Sequence, residues 1–411
     1  MSYGRASLFA IILFPGILFC QTPSVSTDST PIPPPIAAPQ NPPQSSPVQV
    51  ETMPAAEPQQ STPPATTVPS EDEAGIIKSA AKQEAKFDGK DADDKASKDN
   101  DEPVNPAELH HPVLWHDPGQ ISSLDLYYGQ GGKQGQPVAP FTFESEDHSG
   151  TNPKFDARDA NGKKWRVKLG TEARPEVVAS RLLWAMGYFV NDDYVLASAY
   201  IENLHLQRGA GKTKHGLITE ARFARKPSGQ KKIGIWKWKE NPFTGTKEFN
   251  GLRVMMAVMN NWDLKDVNNA VFIDKQTGSE LFLTSDIGAT FGTNGLSWTV
   301  ARSKGNIGTF KDSKFIEHAD ATEVDFGTPK PPTGLLIETG GLLAKQYGMR
   351  KGLDWIGRNV PREDARWMGS LLTQLSHQQL VDAFRAGHFP PDQIDAYVEI
   401  VESRIHELAG L

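Results

Sequence analysis

The stretch Asn260–Phe272 (NNWDLKDVNNAVF), followed after a short hydrophilic turn by Glu280–Gly288 (ELFLTSDIG), decides how this chain is read. Asp263 and Asn268 stand five positions apart, and Asp286 closes a β-prone apolar run in an Asp-Ile-Gly turn. This order of polar groups suits phosphoryl transfer, which asks a protein mainly for positioning and charge. Asp263 is placed to orient an attacking hydroxyl and take its proton. Asn268 and Asp286 offer the oxygen ligands that Mg²⁺ accepts beside nucleotide phosphates. Lys265, two residues past Asp263, can offset negative charge on the transferring group. The plainer alternative is a polar loop after a buried helix, with Asp-Ile-Gly as an ordinary turn.

Three stretches upstream bear on that choice. Ser149–Phe155 (SGTNPKF) is a turn between strand-like runs, where Ser149, Gly150, Thr151 and Asn152 could bring backbone N–H groups over phosphates. In Trp165–Gly170 (WRVKLG), Lys168 alternates with Val167 and Leu169, so its ammonium leaves the strand on the face opposite theirs. Pointed into a cleft, such a lysine neutralises phosphate oxygens; on a surface it is only a solvated charge. Glu176 follows eight residues later in a helical pattern, Glu176–Tyr188, and can hold that lysine in place. Glu172 competes for the same role from the preceding loop, and a first-turn acid favoured by the helix dipole is the bland account of Glu176. The ordered set Lys168, Glu176, Asp263, Asn268 and Asp286 favours a catalytic reading over five separate coincidences.

Two other matches are set aside. Gly209–Thr213 (GAGKT) ends like a phosphate-binding P-loop, but the leading glycine position holds Leu206. His110, His111 and His116 have no partners at metal-ligand spacing. Ile235–Lys239 (IWKWK) reads as an amphipathic strand or hairpin.

These motifs resemble those of the atypical kinases that group HipA-like kinases with phosphoinositide kinases. Ser149–Lys154 is similar to the Ser-Gly-x-Gln-Pro-Lys phosphate loop of the HipA-like group, and Val167–Leu169, Glu176, Asp263–Asn268 and Asp286–Gly288 follow in the family's order. The likeness runs from about Pro140 to Gly292. It implies an α+β, two-lobed protein-kinase-like fold with a sheet-rich N-lobe and a helical C-lobe. It also implies ATP and Mg²⁺ as cofactors, and transfer of the γ-phosphoryl group to a hydroxyl of a protein, lipid or small molecule. A catalytically inactive kinase-fold binding module of the cell envelope is the alternative. Trp262 stands where eukaryotic protein kinases carry Arg, and Ile287 where they carry Phe.

The rest of the chain frames this core. With 411 residues there is room for a tail and one large two-lobed domain. A net charge of −7 gives no basic footprint for nucleic acid, and the single cysteine, Cys20, excludes an internal disulfide or a cysteine-based zinc site. Arg5 before an uncharged run, Ala6–Cys20, reads as a cleaved secretory signal over residues 1–20, with a lipid anchor at Cys20 or an uncleaved anchor as the alternatives. Gln21–Ser70 is rich in Pro, Ser, Thr and Gln, and mixed charge follows to Glu102; residues 21–102 are expected to be a disordered tether. The folded domain is expected as an N-lobe over 103–226 and a C-lobe over 227–411, in an exported monomer that meets the membrane only through its N-terminus. Expected strands include Ile121–Tyr128, Phe141–Glu144, Lys164–Leu169, Tyr194–Ile201 and Gly216–Ala224. Helices are expected at Phe249–Trp262, Arg362–Leu375, Ser376–Ala386 and Pro391–Leu408.

Overall fold

The computed structural model describes residues 101–148, 152–225, 229–292, 304–328 and 353–411. The signal and nearly all of the tether fall outside these, as do Ser149, Gly150 and Thr151. The fold is mixed α+β, and no helix among the described residues is long and apolar enough to cross a membrane.

Five strands close into a barrel: β2 (Phe141–Asp147), β3 (Lys154–Arg158), β4 (Lys164–Lys168), β5 (Asp192–Glu202) and β6 (Leu217–Arg225), in the spatial order β2-β3-β4-β6-β5. Period-two alternation builds its interior. Trp165 and Val167 on β4 and Ala221 and Phe223 on β6 are fully buried with Phe155, Ile201 and Ile218. Their alternates, Lys168 and Arg222, are directly paired across β4 and β6. Those two cations therefore leave the barrel on its outer side, where helix α1 (Ala173–Ala185) packs against β5 and β6.

A second sheet has the order β1-β9-β8-β7, from β1 (Pro112–Val113), β7 (Gln230–Gly234), β8 (Asn269–Asp274) and β9 (Glu280–Thr284). The β8–β9 hairpin carries Asp286 at its exit. Ahead of β8, helix α2 (Lys247–Val258) is capped by Thr246, whose side chain accepts from Phe249 N–H. Helix α3 (Ile307–Asp312), the small sheet β10 (Ile316–Ala319), β11 (Glu323–Phe326) and β12 (Val360–Pro361), and helices α4 (Arg362–Leu372), α5 (His377–Ala386) and α6 (Pro391–Ala409) complete the described chain. Ser376 and Gln379 form a reciprocal capping box at the start of α5, in keeping with the start read there. The main apolar core lies between α1, α2 and α4–α6.

Three expectations need correction. Ile121–Tyr128 is not a strand but a 3₁₀ turn, Ile121–Ser123, followed by further turns. The Asp125 carboxylate accepts from Tyr127 and Tyr128 N–H at 3.0 and 3.1 Å, so a local side-chain bond wins over extension, while Ile121 and Leu126 still bury their side chains. Helix α2 ends at Val258 instead of Trp262, because Asn260 adopts φ 55° and stops it. The part after residue 227 is not simply helical: besides the β8–β9 hairpin that leads into the Asp-Ile-Gly turn, it holds β7 and β10–β12, strands too short or too polar to stand out by alternation.

Candidate functional site

The loop after β4 and the first turn of α1 bring two glutamates to the Lys168 ammonium. Lys168 Nζ lies 3.0 Å from Glu176 Oε2 and 3.1 Å from Glu172 Oε2. Asp286, at the exit of β9, approaches the same nitrogen, Oδ1 at 2.5 Å. Three residues drawn from a strand, a helix and a distant hairpin thus meet at one point. Both glutamates, earlier rivals for the lysine, reach it, and Glu176 lies in the first turn of α1, three residues past its opening Ala173.

Arg222, Asp193 and Ser180 were missed by sequence reasoning. Two like charges opposite one another across strands repel, yet Glu176 resolves the Lys168–Arg222 pair by giving Oε2 to the lysine and Oε1 to the arginine. Asp193 Oδ1 lies 3.9 Å from Arg222, and its Oδ2 accepts from Ser180 Oγ at 2.5 Å. The signal for Arg222 was present in Ala221-Arg222-Phe223, the same inward–outward alternation that singled out Lys168. What the sequence withheld was the register that sets them side by side.

The electrostatics follow from that crowding. Burial pushes the Glu176 carboxyl up, against the pull of Arg222 and then Lys168. Burial also works to lower the Lys168 pKa, but Glu176, Asp286 and Glu172 together raise it well above the ordinary lysine value. For Asp286, burial is again the largest influence and an upward one. The charge and hydrogen bond of Lys168, helped by Arg222 and Lys154, outweigh it and bring the carboxyl from 3.8 down to about 2. The Asp286 backbone has φ 50°, a left-handed conformation that few non-glycine residues adopt and that aims this side chain. Gly288 lets the turn close on α1, since a Cβ there would stand 2.7 Å from the Glu172 carbonyl oxygen.

The second half of the site is the Asp263 loop. Lys265 Nζ lies 2.8 Å from Asp263 Oδ1. Asn268 Nδ2 donates to the Asp263 carbonyl at 2.7 Å, which turns the amide oxygen toward other partners. Ser285, the residue before Asp286, donates from both N–H and Oγ to the Asn268 carbonyl at 2.9 and 2.8 Å. The Asn268 and Asp286 segments are therefore stitched together. Of the residues read as a phosphate loop, Asn152 is described, and its Nδ2 donates to Glu172.

The donor set fits magnesium. One amide oxygen and one carboxylate, the latter with its side chain 54% exposed, are few and hard ligands, the kind this ion uses when phosphates and water supply the rest. Among the described residues no group of three or more His, Cys, Asp or Glu side chains is placed to hold a metal ion by protein ligands alone.

No protein-family model matches the chain, and no curated protein does. Its structure is similar to a crystal structure from Helicobacter pylori described as the proinflammatory kinase CtkA. The match has 11% identity and a TM-score of 0.36, and covers 67% of this chain and 95% of that one.

Proposed function

We propose that this chain is an ATP- and Mg²⁺-dependent phosphotransferase with a two-lobed, kinase-like fold related to the HipA-like group. The observation that supports it most is the meeting of Lys168, Glu176 and Asp286 around one ammonium, from residues 118 positions apart in sequence. A structural salt bridge needs two groups. A strand lysine held by a helix carboxylate beside a half-exposed aspartate, next to a stitched Asp–Asn loop, suits the binding and transfer of a phosphoryl group.

Lys168 would neutralise the nucleotide's phosphate oxygens, its direction fixed by Glu176, which Arg222 anchors in turn. Asp263 would orient the acceptor hydroxyl and take its proton, with Lys265 beside it to moderate the charge that builds there. Asn268 and Asp286 would hold magnesium, which when bound offsets charge on the β- and γ-phosphate oxygens. Most of the acceleration would come from position and fixed charge. The acceptor is a hydroxyl of a protein, lipid or small molecule. From the N-terminal sequence we further propose that the protein is exported, tethered by residues 21–102, and monomeric.

The test has two arms. Nucleotide with magnesium should raise the melting temperature of the parent protein, and Asp286→Ala should lose that shift. Single-turnover transfer from labelled ATP should be detectable in the parent and absent in Asp263→Ala. No thermal shift in the parent removes the ATP assignment. A shift without transfer leaves the noncatalytic binding module in its place.

A further inference from the structure

Of the three carboxylates on Lys168, Glu172 is the one that the phosphotransferase reading leaves without a part. It stands immediately before α1, yet its side chain makes no capping bond to that helix. Instead the side chain, only 7% exposed, turns toward the Lys168 ammonium. Oε2 receives Lys168 at 3.1 Å and also the amide of Asn152, and Oε1 lies 3.6 Å from Lys304 Nζ. Among the described residues, three donors from three separate segments converge on it: the β2–β3 loop, strand β4, and the chain beyond the Asp-Ile-Gly turn.

That is the environment of a phosphoryl group. Two ammonium ions and an amide N–H on a pair of oxygens is a set of donors suited to a phosphate, and one is already assigned to the nucleotide. The backbone beside Glu172 packs closely on these donors. Gly170 has φ 114°, and a Cβ there would meet Asn152 Oδ1 and Lys212 Nζ at 3.1 Å. Gly170 and Thr171, the two residues before Glu172, line a cavity of about 680 Å³ bordered by Arg174, Lys212 and Lys304.

Resting on the phosphotransferase reading, we propose that Glu172 occupies the position of a nucleotide phosphate, and that Asn152 and Lys304 are phosphate-contacting residues it holds until nucleotide displaces it. Glu176 keeps the permanent role on Lys168, because Arg222 secures its other oxygen. Nucleotide affinity is then reduced by the fraction of molecules in which Glu172 is seated. If that fraction is about nine in ten, the apparent Kd is about tenfold weaker than the open site allows.

The experiment is calorimetric titration of the full chain with Mg-ADP and, separately, with tripolyphosphate, a probe without a nucleoside. Glu172→Gln should bind both about tenfold more tightly than the parent. Lys304→Ala should bind tripolyphosphate several-fold more weakly. Parent-like or weaker binding by Glu172→Gln overturns the proposal while leaving the phosphotransferase reading intact, since Glu172 would then be a support for Lys168. Binding by neither parent nor variant overturns both. Should Glu172→Gln fail to fold in a melt without ligand, Glu172→Asp, which withdraws the carboxylate by one methylene, carries the same expectation.

Discussion

At the scale of single residues, the site is a problem in charge compensation. Lys168 faces three carboxylates, and removing it leaves them crowded and unneutralised. Lys168→Met should lower the rate of phosphoryl transfer by roughly 10²–10³-fold, read in single-turnover assays on protein whose melting curve shows it folded. A parent-like rate would mean the ammonium is only structural. Asp286 gives a pH signature. Its carboxyl is depressed from 3.8 to about 2 in the folded chain, so the stability it contributes is fully present above about pH 4 and is lost as the pH falls through about 2. Asp286→Asn should therefore be less stable than the parent at pH 7 in urea titrations, by roughly 1 kcal/mol or less because the side chain is half exposed. The two should converge near pH 2; a gap that persists there would show the contact is not ionic. Asp263, Asn268 and Asp286 stood out as candidates because their spacing is local or nearly so. Glu172 and Arg222 took their meaning from register and loop path, which no short window of sequence carries.

At the scale of elements, α2 matters because the Asp263 loop begins where it ends. Arg404 on α6 reaches that end: Nη1 donates to the carbonyls of Ala257 and Val258, each at 2.9 Å, and Nη2 to Ser313 Oγ at 2.6 Å. A cation on the last carbonyls of a helix meets the negative end of its dipole, and here it lies over the Phe310 ring as well, 4.2 Å from the centroid. Arg404→Met strands those carbonyls and should cost about 1.5–3 kcal/mol in denaturant unfolding. Transfer activity should fall further than that loss of folded protein explains, since the origin of the Asp263 loop is loosened. Arg404→Lys should not rescue it, because one ammonium cannot replace a planar fork spanning three acceptors. Helices α1, α2 and α4–α6 were readable from their apolar periodicity and, for α5, its Ser376 cap, whereas the six-residue α3 was not. Strands β7 and β10–β12 were not, being short and sustained by neighbours distant in the chain.

At the scale of the whole described chain, the first residues do not stay with the barrel that follows them. Val104 N–H donates to the Ile235 carbonyl at 2.9 Å, Ile235 N–H donates to the Glu102 carbonyl at 3.0 Å, and β1 runs parallel to β9. The buried Glu280 carboxylate accepts from His110 and His111 N–H at 3.1 and 2.5 Å, across 170 and 169 positions. Glu280→Ala leaves those two amides without this acceptor and should cost about 1.5–3 kcal/mol per bond at most, measured by urea unfolding. No loss would mean the segment is held by packing alone. A two-residue strand has no periodicity to read, so the sequence offered this crossing no signal beyond an acidic residue in a hairpin. The crossing has a mechanical side. Any pull delivered through the residues before Asp101 arrives first at the bonds around Ile235, then at the Glu280 clasp and β1, and only afterward at the barrel. The sheet whose β8–β9 hairpin leads into Asp286 thus doubles as the anchorage, and a load large enough to strip the clasp would be felt at that hairpin before any strand of the barrel parted.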